Sequence, residues 1–501
     1  MKNNIFNNLY VLDIANNHFG DLIHAKSIIN QFGKISKKLN IKSTIKFQFR
    51  ELDSFIHKDF INSDEKFVKR FMSTKLSNKD FAYLLKIIKN NKMLSSCTPF
   101  DEKSVDLIEK LKFDIIKIAS VSSLDFNLLE RVTKNKIPKI ISTGGKTLND
   151  IDKIVSFFRR KKQNFALLHC IAISPSSNDQ LQIKFIEELI SRYKDLTIGW
   201  STHERPKEFL PAALAYASGA RMFEKHIGIN SKNYKLNDYS ITPNLFKEWY
   251  AHLSEAKKIL GDGKKIIEKK EIKTLEELSR GVYAQRDLIK NEILSEDNVY
   301  FAFPLQRGQL NSANLKKNSV VLKNLKKDEK IIEKYVMHDK SLFNEYTIKS
   351  YIHELKAILN KNKITIKDNF DLEISHHKGI KNFKKTGCFL FNLINKNYAK
   401  KMLVLLPNQS HPLHFHKKKD ESFHIISGSL LSKLNGKVKK LMPGEILHIK
   451  KNSWHEFKAG NKGCIFDEIS STSYKDDSFY MDKKIKVLSR DHRKTYINKW
   501  I

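Results

Sequence analysis

Cysteine is scarce in this sequence. Its 501 residues contain four, and none belongs to a C-x-x-C pair. They are Cys97, Cys170, Cys388 and Cys464. We expect reduced, mostly buried thiols, which is the usual state of unpaired cysteines inside cells.

Long apolar runs are also missing. No stretch of about 18 apolar residues occurs, and a membrane-spanning helix needs roughly that length. The opening MKNNIFNNLYVLDIANN contains no apolar stretch of signal-peptide length. We therefore expect a cytoplasmic protein with no membrane partner.

Acidic residues are few relative to basic ones. The sequence has 55 Asp and Glu against 91 Lys and Arg, a formal charge of +36. Nucleic acid, an anionic membrane or an anionic substrate could each account for such a balance. However, Lys far outnumbers Arg and is spread along the whole chain, with no basic stripe. We interpret the charge as a compositional bias and expect no nucleic-acid partner.

Short apolar runs alternate with amphipathic stretches over the first 230 residues. Continuous apolar runs of this kind suit strands that are buried on both faces of a parallel sheet. Eight of them separated by helices predict a (β/α)8 barrel, with a doubly wound open sheet as the alternative. The predicted strands lie at residues 10–15, 44–49, 93–98, 114–120, 138–143, 165–170, 196–201 and 221–227.

Polar side chains stand where these predicted strands end. In a barrel all strands open on one face at their carboxyl ends, and that face carries the active site. The repetition at successive strands is more than turn chemistry explains. The residues are Lys46, Gln48, Thr98, Lys117, Ser120, Ser142, Thr143, His169, Ser201, His203, Glu224 and His226.

Two of these residues, His203 and His226, follow neighbouring predicted strands. Two imidazoles together with oxygen ligands could hold a divalent metal such as Mn²⁺. They could equally be two histidines with ordinary hydrogen-bond partners, and their spacing does not separate these interpretations.

The rest of the chain changes character twice. Residues 280–337 read as a small module of short strands and turns, and residues 340–362 as a connecting helix. From about residue 380 the pattern is all-β, with turns at Ser427-Gly428 and Asn435-Gly436. We predict four regions: a barrel at 1–265, a small α+β module at 275–338, a helical linker at 339–374 and a β-barrel at 375–501.

The all-β region contains a second candidate metal site. His414 and His416 are two residues apart and so share one face of a strand, while Glu421 and His455 come from later strands. Three imidazoles and a carboxylate suit Mn, Fe, Ni or Zn. The H-x-H-x4-E segment and the later Pro443-Gly444 resemble the two motifs of the cupin superfamily. A cupin used only for binding or dimerisation is the alternative, because a metal does not by itself imply turnover.

The barrel region resembles the sialic acid synthase family. The segments that carry the resemblance occur in the family's order: VLDIANNHFGDLIHAKSII, IKFQ, SSCTPFDEKSVDLIEKL, IIKIASVSSLDFNLLE, PKIISTGGKTLNDI, ALLHC, IGWSTHE and FEKHIGI. SRGVYAQRDLIKNEILSEDNV resembles the antifreeze-like domain that follows the barrel in this family. The match covers roughly residues 9–337.

The resemblance implies an enzyme that condenses phosphoenolpyruvate with an amino-sugar aldehyde to give a nonulosonic acid and phosphate. Carbon C3 of phosphoenolpyruvate would attack a metal-polarised aldehyde, water would add at C2, and phosphate would leave with C–O cleavage. It also implies Mn or Mg at His203 and His226, and a domain-swapped homodimer. Glu224, Asp13 and Asp238 would contact the sugar or take part in catalysis. Phosphoenolpyruvate would be bound by Lys46, Thr98, Lys117, Ser120, Ser142 and Ser201.

The departures from the family lie mostly on the sugar side. Asp13 replaces a Glu, Ala172 and Ser174 replace Asn and Tyr, and Ala302-Phe303-Pro304 replaces K-R-P, whose Arg reaches the sugar's acyl group. We therefore expect N-acetylmannosamine to be a poor substrate and a modified or deoxy amino sugar to be better. A synthase for another aldehyde, or an inactive barrel that binds sugar, are the alternatives. The tail FDEISSTSYKDDSFYMD resembles cupins that isomerise free sugars, so the cupin is expected to bind or isomerise the sugar.

Overall fold

The computed structural model describes residues 4–201, 203–338, 341–367, 370–490, 492–498 and 500, without the side chains of 341–345. The chain divides into two compact units, Met1–Ile266 and Ile267–Ile501. Within the part of the chain that the structure describes, no helix combines the length and apolarity needed to cross a bilayer.

The first unit is a closed barrel of eight parallel strands, paired in chain order from β1 to β8 with β8 returning to β1. The prediction of a (β/α)8 barrel is confirmed, and the open doubly wound sheet is wrong. The strands are β1 (Leu9–Asp13), β2 (Lys42–Phe49), β3 (Leu94–Pro99), β4 (Ile115–Ile118), β5 (Lys139–Ser142), β6 (Phe165–Cys170), β7 (Ile198–Ser201) and β8 (Met222–His226).

Helices surround the barrel, and several begin at side chains that accept hydrogen bonds from the first turn. Asp21 caps α1, and Ser77 with Asp80 and Thr147 with Asp150 form reciprocal capping boxes on α4 and α7. The helices are α1 (Leu22–Leu39), α2 (Leu52–Phe55), α3 (Lys66–Ser73), α4 (Asn78–Asn90), α5 (Glu102–Leu111), α6 (Phe126–Val132), α7 (Leu148–Arg160), α8 (Phe185–Arg192), α9 (Leu210–Ala217) and α10 (Pro243–Leu260).

The barrel interior changes from apolar to polar along each strand. Leu9 and Val11 of β1 belong to a buried apolar cluster that also contains Ile140 and Met222. Because alternate residues of a strand share a face, the same inward row continues into Asp13 on β1. Gly199 of β7 leaves room here, since a Cβ on it would lie 2.6 Å from both the Leu168 side chain and the Met222 carbonyl oxygen. The carboxyl end of the barrel is therefore lined with polar groups above an apolar floor.

The second unit begins with α11 (Lys269–Glu277) and a small module of two two-stranded antiparallel sheets. β9 (Gly281–Ala284) pairs with β10 (Val299–Ala302), and β11 (Val320–Val321) pairs with β12 (Val336–Met337). The module has its own small core, which includes Val282, Leu294 and Leu310. Its assignment as an antifreeze-like domain stays a prediction, as do the four domain limits and the homodimer.

The remainder of the second unit is a ten-stranded antiparallel β structure preceded by α12 (Ser341–Lys361). The strands are β13 (Leu372–Ser375), β14 (Cys388–Asn395), β15 (Tyr398–Leu405), β16 (Ser410–Phe415), β17 (Glu421–Leu434), β18 (Lys437–Leu441), β19 (Ile446–Ile449), β20 (His455–Ser471), β21 (Phe479–Tyr480) and β22 (Lys494–Ile497), with α13 (Lys483–Lys486) before the last of them. The predicted C-terminal all-β region is confirmed.

Helix α12 packs on this β structure. Tyr351, Leu355 and Leu359 are spaced four residues apart, so they lie on one face of the helix. All three are buried in one hydrophobic cluster with residues such as Phe389 of β14. The segment predicted as a linker thus contributes to the core of the C-terminal β region.

Candidate functional site

Glu224 lies at the centre of the barrel's polar end, where two lysines share its carboxylate. Lys117 Nζ is 3.2 Å from Glu224 Oε1, and Lys46 Nζ is 3.1 Å from Oε2. Ser201 Oγ also donates a hydrogen bond to Oε1, at 2.8 Å. These four side chains come from β8, β4, β2 and β7, so they meet only because the barrel closes.

Asp13 extends this network toward the histidines. Its Oδ2 lies 2.9 Å from Lys46 Nζ and 3.4 Å from His226 Nδ1, while Oδ1 accepts the backbone N–H of Ala15. Strand register explains the grouping, because Asp13 is paired with Lys46 on one side and with His226 on the other. Two carboxylates and two ammonium groups are thus buried within contact of one another.

Burial and charge together set the ionisation of this network. Burial favours the neutral form of Glu224, but Lys117 and Lys46 outweigh it and hold its pKa well below the ordinary value. Burial likewise disfavours the charge on Lys46, yet Asp13 and Glu224 raise its pKa. For Lys117 burial is the larger effect, and its pKa is lowered despite Glu224. An additional anion would therefore stabilise the charge on Lys117 more than the charge on Lys46.

Hydroxyl groups around the lysines have hydrogen-bonding capacity left over. Thr98 Oγ1 and Ser142 Oγ are buried, and neither has a hydrogen-bond partner among the described residues. Ser120 Oγ accepts the backbone N–H of Gly144 at 2.9 Å. Unpaired buried donors beside two lysines are the groups that a small anion with phosphate or carboxylate oxygens would satisfy.

His203 and His226 lie side by side at the ends of β7 and β8. Their ring centroids are 5.0 Å apart, and Tyr239 packs edge-on against both rings at 5.1 Å. Burial lowers the pKa of His226 to about 4 and also lowers that of His203, so both rings are neutral near pH 7. His203 Nδ1 lies 3.2 Å from the Ile171 carbonyl oxygen, leaving Nε2 as a ligand atom. The pair can supply two nitrogens to a divalent metal, with the other positions left to oxygen ligands.

Asp238 and the positions that depart from the family after β6 and in the second unit lie outside this buried network. Asp238 is exposed on the loop between β8 and α10, next to Tyr239. Ala172 and Ser174 are exposed after β6. Phe303, in the module of the second unit, is 61% exposed. Their roles in substrate recognition stay predictions.

The C-terminal β region brings His414, His416, Glu421 and His455 together. One ligand atom from each of these buried residues lies within 4.8 Å of the others. The closest pair is His455 Nε2 and Glu421 Oε1, at 2.8 Å. β16 supplies His414, and His416 follows directly after that strand, while β17 and β20 supply Glu421 and His455.

Backbone carbonyls fix the orientation of all three imidazoles. The Nδ1 atoms of His414, His416 and His455 face the carbonyl oxygens of Pro412, Asp477 and Ser453 at 2.9, 2.5 and 3.0 Å. Nδ1 is therefore the protonated nitrogen, and the Nε2 lone pairs converge on the carboxylate. Within the part of the chain that the structure describes, His455 Nε2 and both oxygens of Glu421 are buried without a regular hydrogen bond. The four residues fit a divalent transition metal.

Lys419 is a neighbour of this centre that the sequence analysis did not select. Its buried Nζ lies 2.7 Å from Glu421 Oε2 and 2.5 Å from Glu468 Oε1, and Lys401 also contacts Glu468. Two carboxylates thus surround Lys419, and one of them belongs to the metal-binding set. The spacing H-x-H-x2-K-x-E contains it, but a lysine between a turn and a strand carries no distinctive pattern.

Comparison with known proteins finds a family-model match within each unit. A model described as the NeuB family matches residues 39–265, and a cupin domain model matches residues 401–466. An uncharacterized protein of Methanocaldococcus jannaschii is 30% identical over 58% of this chain and 82% of its own length. The N,N'-diacetyllegionaminic acid synthase of Campylobacter jejuni is 28% identical over 65% of this chain and 99% of its own. A crystal structure of a Chromobacterium violaceum protein, assigned as spore coat polysaccharide biosynthesis protein E, is 37% identical over 66% of this chain and 99% of that one, with a TM-score of 0.61.

The cupin centre predicts one equivalent of tightly held transition metal. Replacing both His414 and His416 by Ala should lower the metal content of the intact chain by about one ion, since only two of four ligands remain. His448→Ala is the matched control, because His448 is an exposed histidine of the same β region that bonds Ser422. Elemental analysis after purification measures the difference. Equal metal content in the wild type and the double variant would contradict the assignment.

Proposed function

This chain belongs to the NeuB family, and from that premise we propose that its barrel condenses phosphoenolpyruvate with an amino-sugar aldehyde. The products are a nonulosonic acid and inorganic phosphate. Relatives named as N,N'-diacetyllegionaminic and pseudaminic acid synthases, each 28% identical, support the reaction class. The observation that carries the proposal is the pair of buried lysines on Glu224, next to unpaired hydroxyl groups.

Phosphoenolpyruvate carries a phosphate and a carboxylate, and the barrel's polar end offers groups for both. Burial lowers the pKa of Lys117 by more than the nearby Glu224 raises it, so an added anion would stabilise the charge on Lys117. Thr98 and Ser142 have free hydroxyls to donate. We assign phosphoenolpyruvate binding to Lys46, Thr98, Lys117, Ser120, Ser142 and Ser201.

The carboxylates have a different task in the proposed reaction. A bond forms between C3 of phosphoenolpyruvate and the aldehyde carbon, whose oxygen gains a proton. Water then adds at C2 and loses a proton, and the C2–O bond to phosphate breaks. Asp13 Oδ2 faces Lys46 and accepts no regular hydrogen bond among the described residues, so it can receive the proton from water.

The histidines fit a metal on the aldehyde side of the reaction. His203 and His226 would hold it, with Mn²⁺ better suited than Mg²⁺ to nitrogen ligands. A divalent metal bound there supplies Lewis-acid polarisation of a carbonyl oxygen. The rings themselves are kept neutral and oriented, by burial and by the Ile171 carbonyl.

The sugar is the finer part of the proposal. Ser174 and Phe303 stand where the family has a Tyr and an Arg, so fewer hydrogen-bond donors remain for a fully hydroxylated amino sugar. We propose a modified or deoxy amino sugar as the substrate. The antifreeze-like module of a second subunit would complete the site in a domain-swapped homodimer.

A panel of sugars tests the function directly. Purified chain with Mn²⁺, phosphoenolpyruvate and one hexosamine at a time should release phosphate with a deoxy or diacetamido hexose, and only slowly with N-acetylmannosamine. Coupled phosphate detection and mass spectrometry of the nine-carbon product are the measurements. If none of the sugars in the panel gives phosphate release, an inactive, sugar-binding barrel is favoured. Efficient use of N-acetylmannosamine would contradict the proposed substrate class.

Loss of Lys117 should damage the use of phosphoenolpyruvate. Lys117→Ala is expected to lower kcat/KM for phosphoenolpyruvate by at least about 100-fold, because a charge-assisted contact to the reacting anion is lost. Lys139→Met is the matched control. Lys139 is also a buried barrel lysine, but it begins β5 and binds Asn135 and Gln163 at the opposite end. Near wild-type kinetics for Lys117→Ala would remove this residue from the site.

For the cupin we propose sugar binding with isomerisation of aldose and ketose or epimerisation at C2. The supporting observation is a four-residue metal set with a buried lysine against its carboxylate. A bound metal supplies Lewis-acid polarisation of a sugar's carbonyl oxygen. Such a domain would supply the aldehyde that the barrel consumes.

Exchange of the C2 hydrogen tests the cupin's chemistry. Metal-loaded protein in D₂O should introduce deuterium at C2 of a hexosamine or deoxyhexose, as read by NMR and mass spectrometry. Glu421→Gln should abolish the exchange because it removes the anionic ligand, whereas Lys117→Ala, in the barrel, should not affect it. No exchange by fully loaded wild type would leave the cupin a binding or structural role.

A further inference from the structure

Arg50 is a half-buried cation directly after β2 that the proposed chemistry does not use. It follows Lys46 and Gln48 at alternate positions, and alternate residues of a strand share a face. Its guanidinium lies between two aromatic rings, with Cζ 4.0 Å from the centroid of Phe71 and 3.7 Å from that of Phe100. Phe71 belongs to α3 and Phe100 follows β3, so two elements hold the planar group.

The guanidinium has donors to spare. Among the described residues, no carboxylate oxygen lies within the 4.0 Å of an ion pair with Arg50. One donor, Nη2, bonds Gln48 Oε1 at 3.2 Å, and the buried Nε has no partner. Because burying a cation without an anion or a full set of acceptors costs free energy, such an arginine indicates an acceptor supplied by a ligand.

Arg50 also opens on a cleft. A cavity of about 260 Å³ lies at the ends of β1 and β2, lined among others by Asn16, His18, Gln48, Arg50 and Phe71. Asn16 is three residues beyond Asp13, and Arg50 is four beyond Lys46. The cleft therefore begins just outside the buried Asp13–Lys46 pair.

Distance along β2 separates Arg50 from the proposed anion site. Four residues of extended strand span roughly 13 Å, at about 3.3 Å per residue. A three-carbon acid held by Lys46 and Lys117 does not reach that far. In the proposed reaction the aldehyde carbon meets C3 of that acid, so the distal carbons of the sugar are the part of the substrate that would reach the cleft.

We propose that Arg50 is a specificity-determining residue that binds an acyl carbonyl oxygen on the distal part of the amino sugar. This inference rests on the proposed function. A flat guanidinium clamped between two rings presents its N–H groups in one plane, which suits a planar acceptor such as an amide carbonyl. The ring stack fixes the orientation before the sugar arrives.

Binding of unreactive sugars tests this assignment without turnover. The probes are alditols, which lack the aldehyde: the 2,4-diacetamido-6-deoxyhexitol and the corresponding diamino compound without acyl groups. Isothermal titration calorimetry with saturating phosphoenolpyruvate measures their affinities. Arg50→Ala should lower the affinity for the diacetamido probe roughly 30-fold, because a charge-assisted hydrogen bond is lost. The affinities for the diamino probe and for phosphoenolpyruvate should stay within about twofold of the wild-type values.

Two further variants sharpen the result. Arg50→Lys should not restore binding, because an ammonium group lacks the planar fork, and it serves as the test variant if Arg50→Ala does not fold. Arg160→Ala is the control, since Arg160 is an exposed arginine of α7. Unchanged affinity for the diacetamido probe in Arg50→Ala, or no binding of it by wild type, overturns the proposal. If Arg50→Ala lowered the affinity for phosphoenolpyruvate by the same factor, Arg50 would instead belong to the anion site. Arg50-dependent alditol binding in a protein that releases no phosphate would overturn the proposed reaction and keep this inference.

Discussion

The barrel's chemistry depends on one carboxylate that two buried lysines share. Glu224 holds Lys46 and Lys117 inside the barrel, where an unpaired ammonium group would be costly. Without it the two cations would repel each other, and their ammonium groups would be more stable in contact with water than buried. With it they stay buried at the polar carboxyl end of the barrel, above the apolar floor, where their charge can stabilise an incoming anion.

Much of this arrangement follows from strand periodicity. Eight apolar runs predicted eight strands, and the polar residues at their ends predicted which face of the barrel carries the chemistry. Closure of the barrel then brings Lys46, Lys117 and Glu224 together from distant positions in the sequence. The ion pairs themselves could not be predicted, because periodicity gives a direction for each side chain and no distance between strands.

Other features lie beyond sequence patterns for a different reason. Lys139 and Lys117 both stand in apolar strands, and only the structure separates a lysine that binds loop amides at one barrel end from one that meets Glu224 at the other. Likewise, Lys419 and Arg50 become notable through what surrounds them, a pair of carboxylates and a pair of aromatic rings. The cupin ligands were visible in the sequence because a strand's alternation and two short motifs specify them.

Lys46 and Lys117 are proposed to form the binding site of phosphoenolpyruvate. A crystal structure of the intact protein soaked with phosphoenolpyruvate tests this assignment. We expect the anion at the barrel's carboxyl end, in contact with both ammonium groups and with the hydroxyls of Thr98 and Ser142. Phosphoenolpyruvate bound elsewhere, or a barrel left free of it at saturating concentration, would contradict the claim.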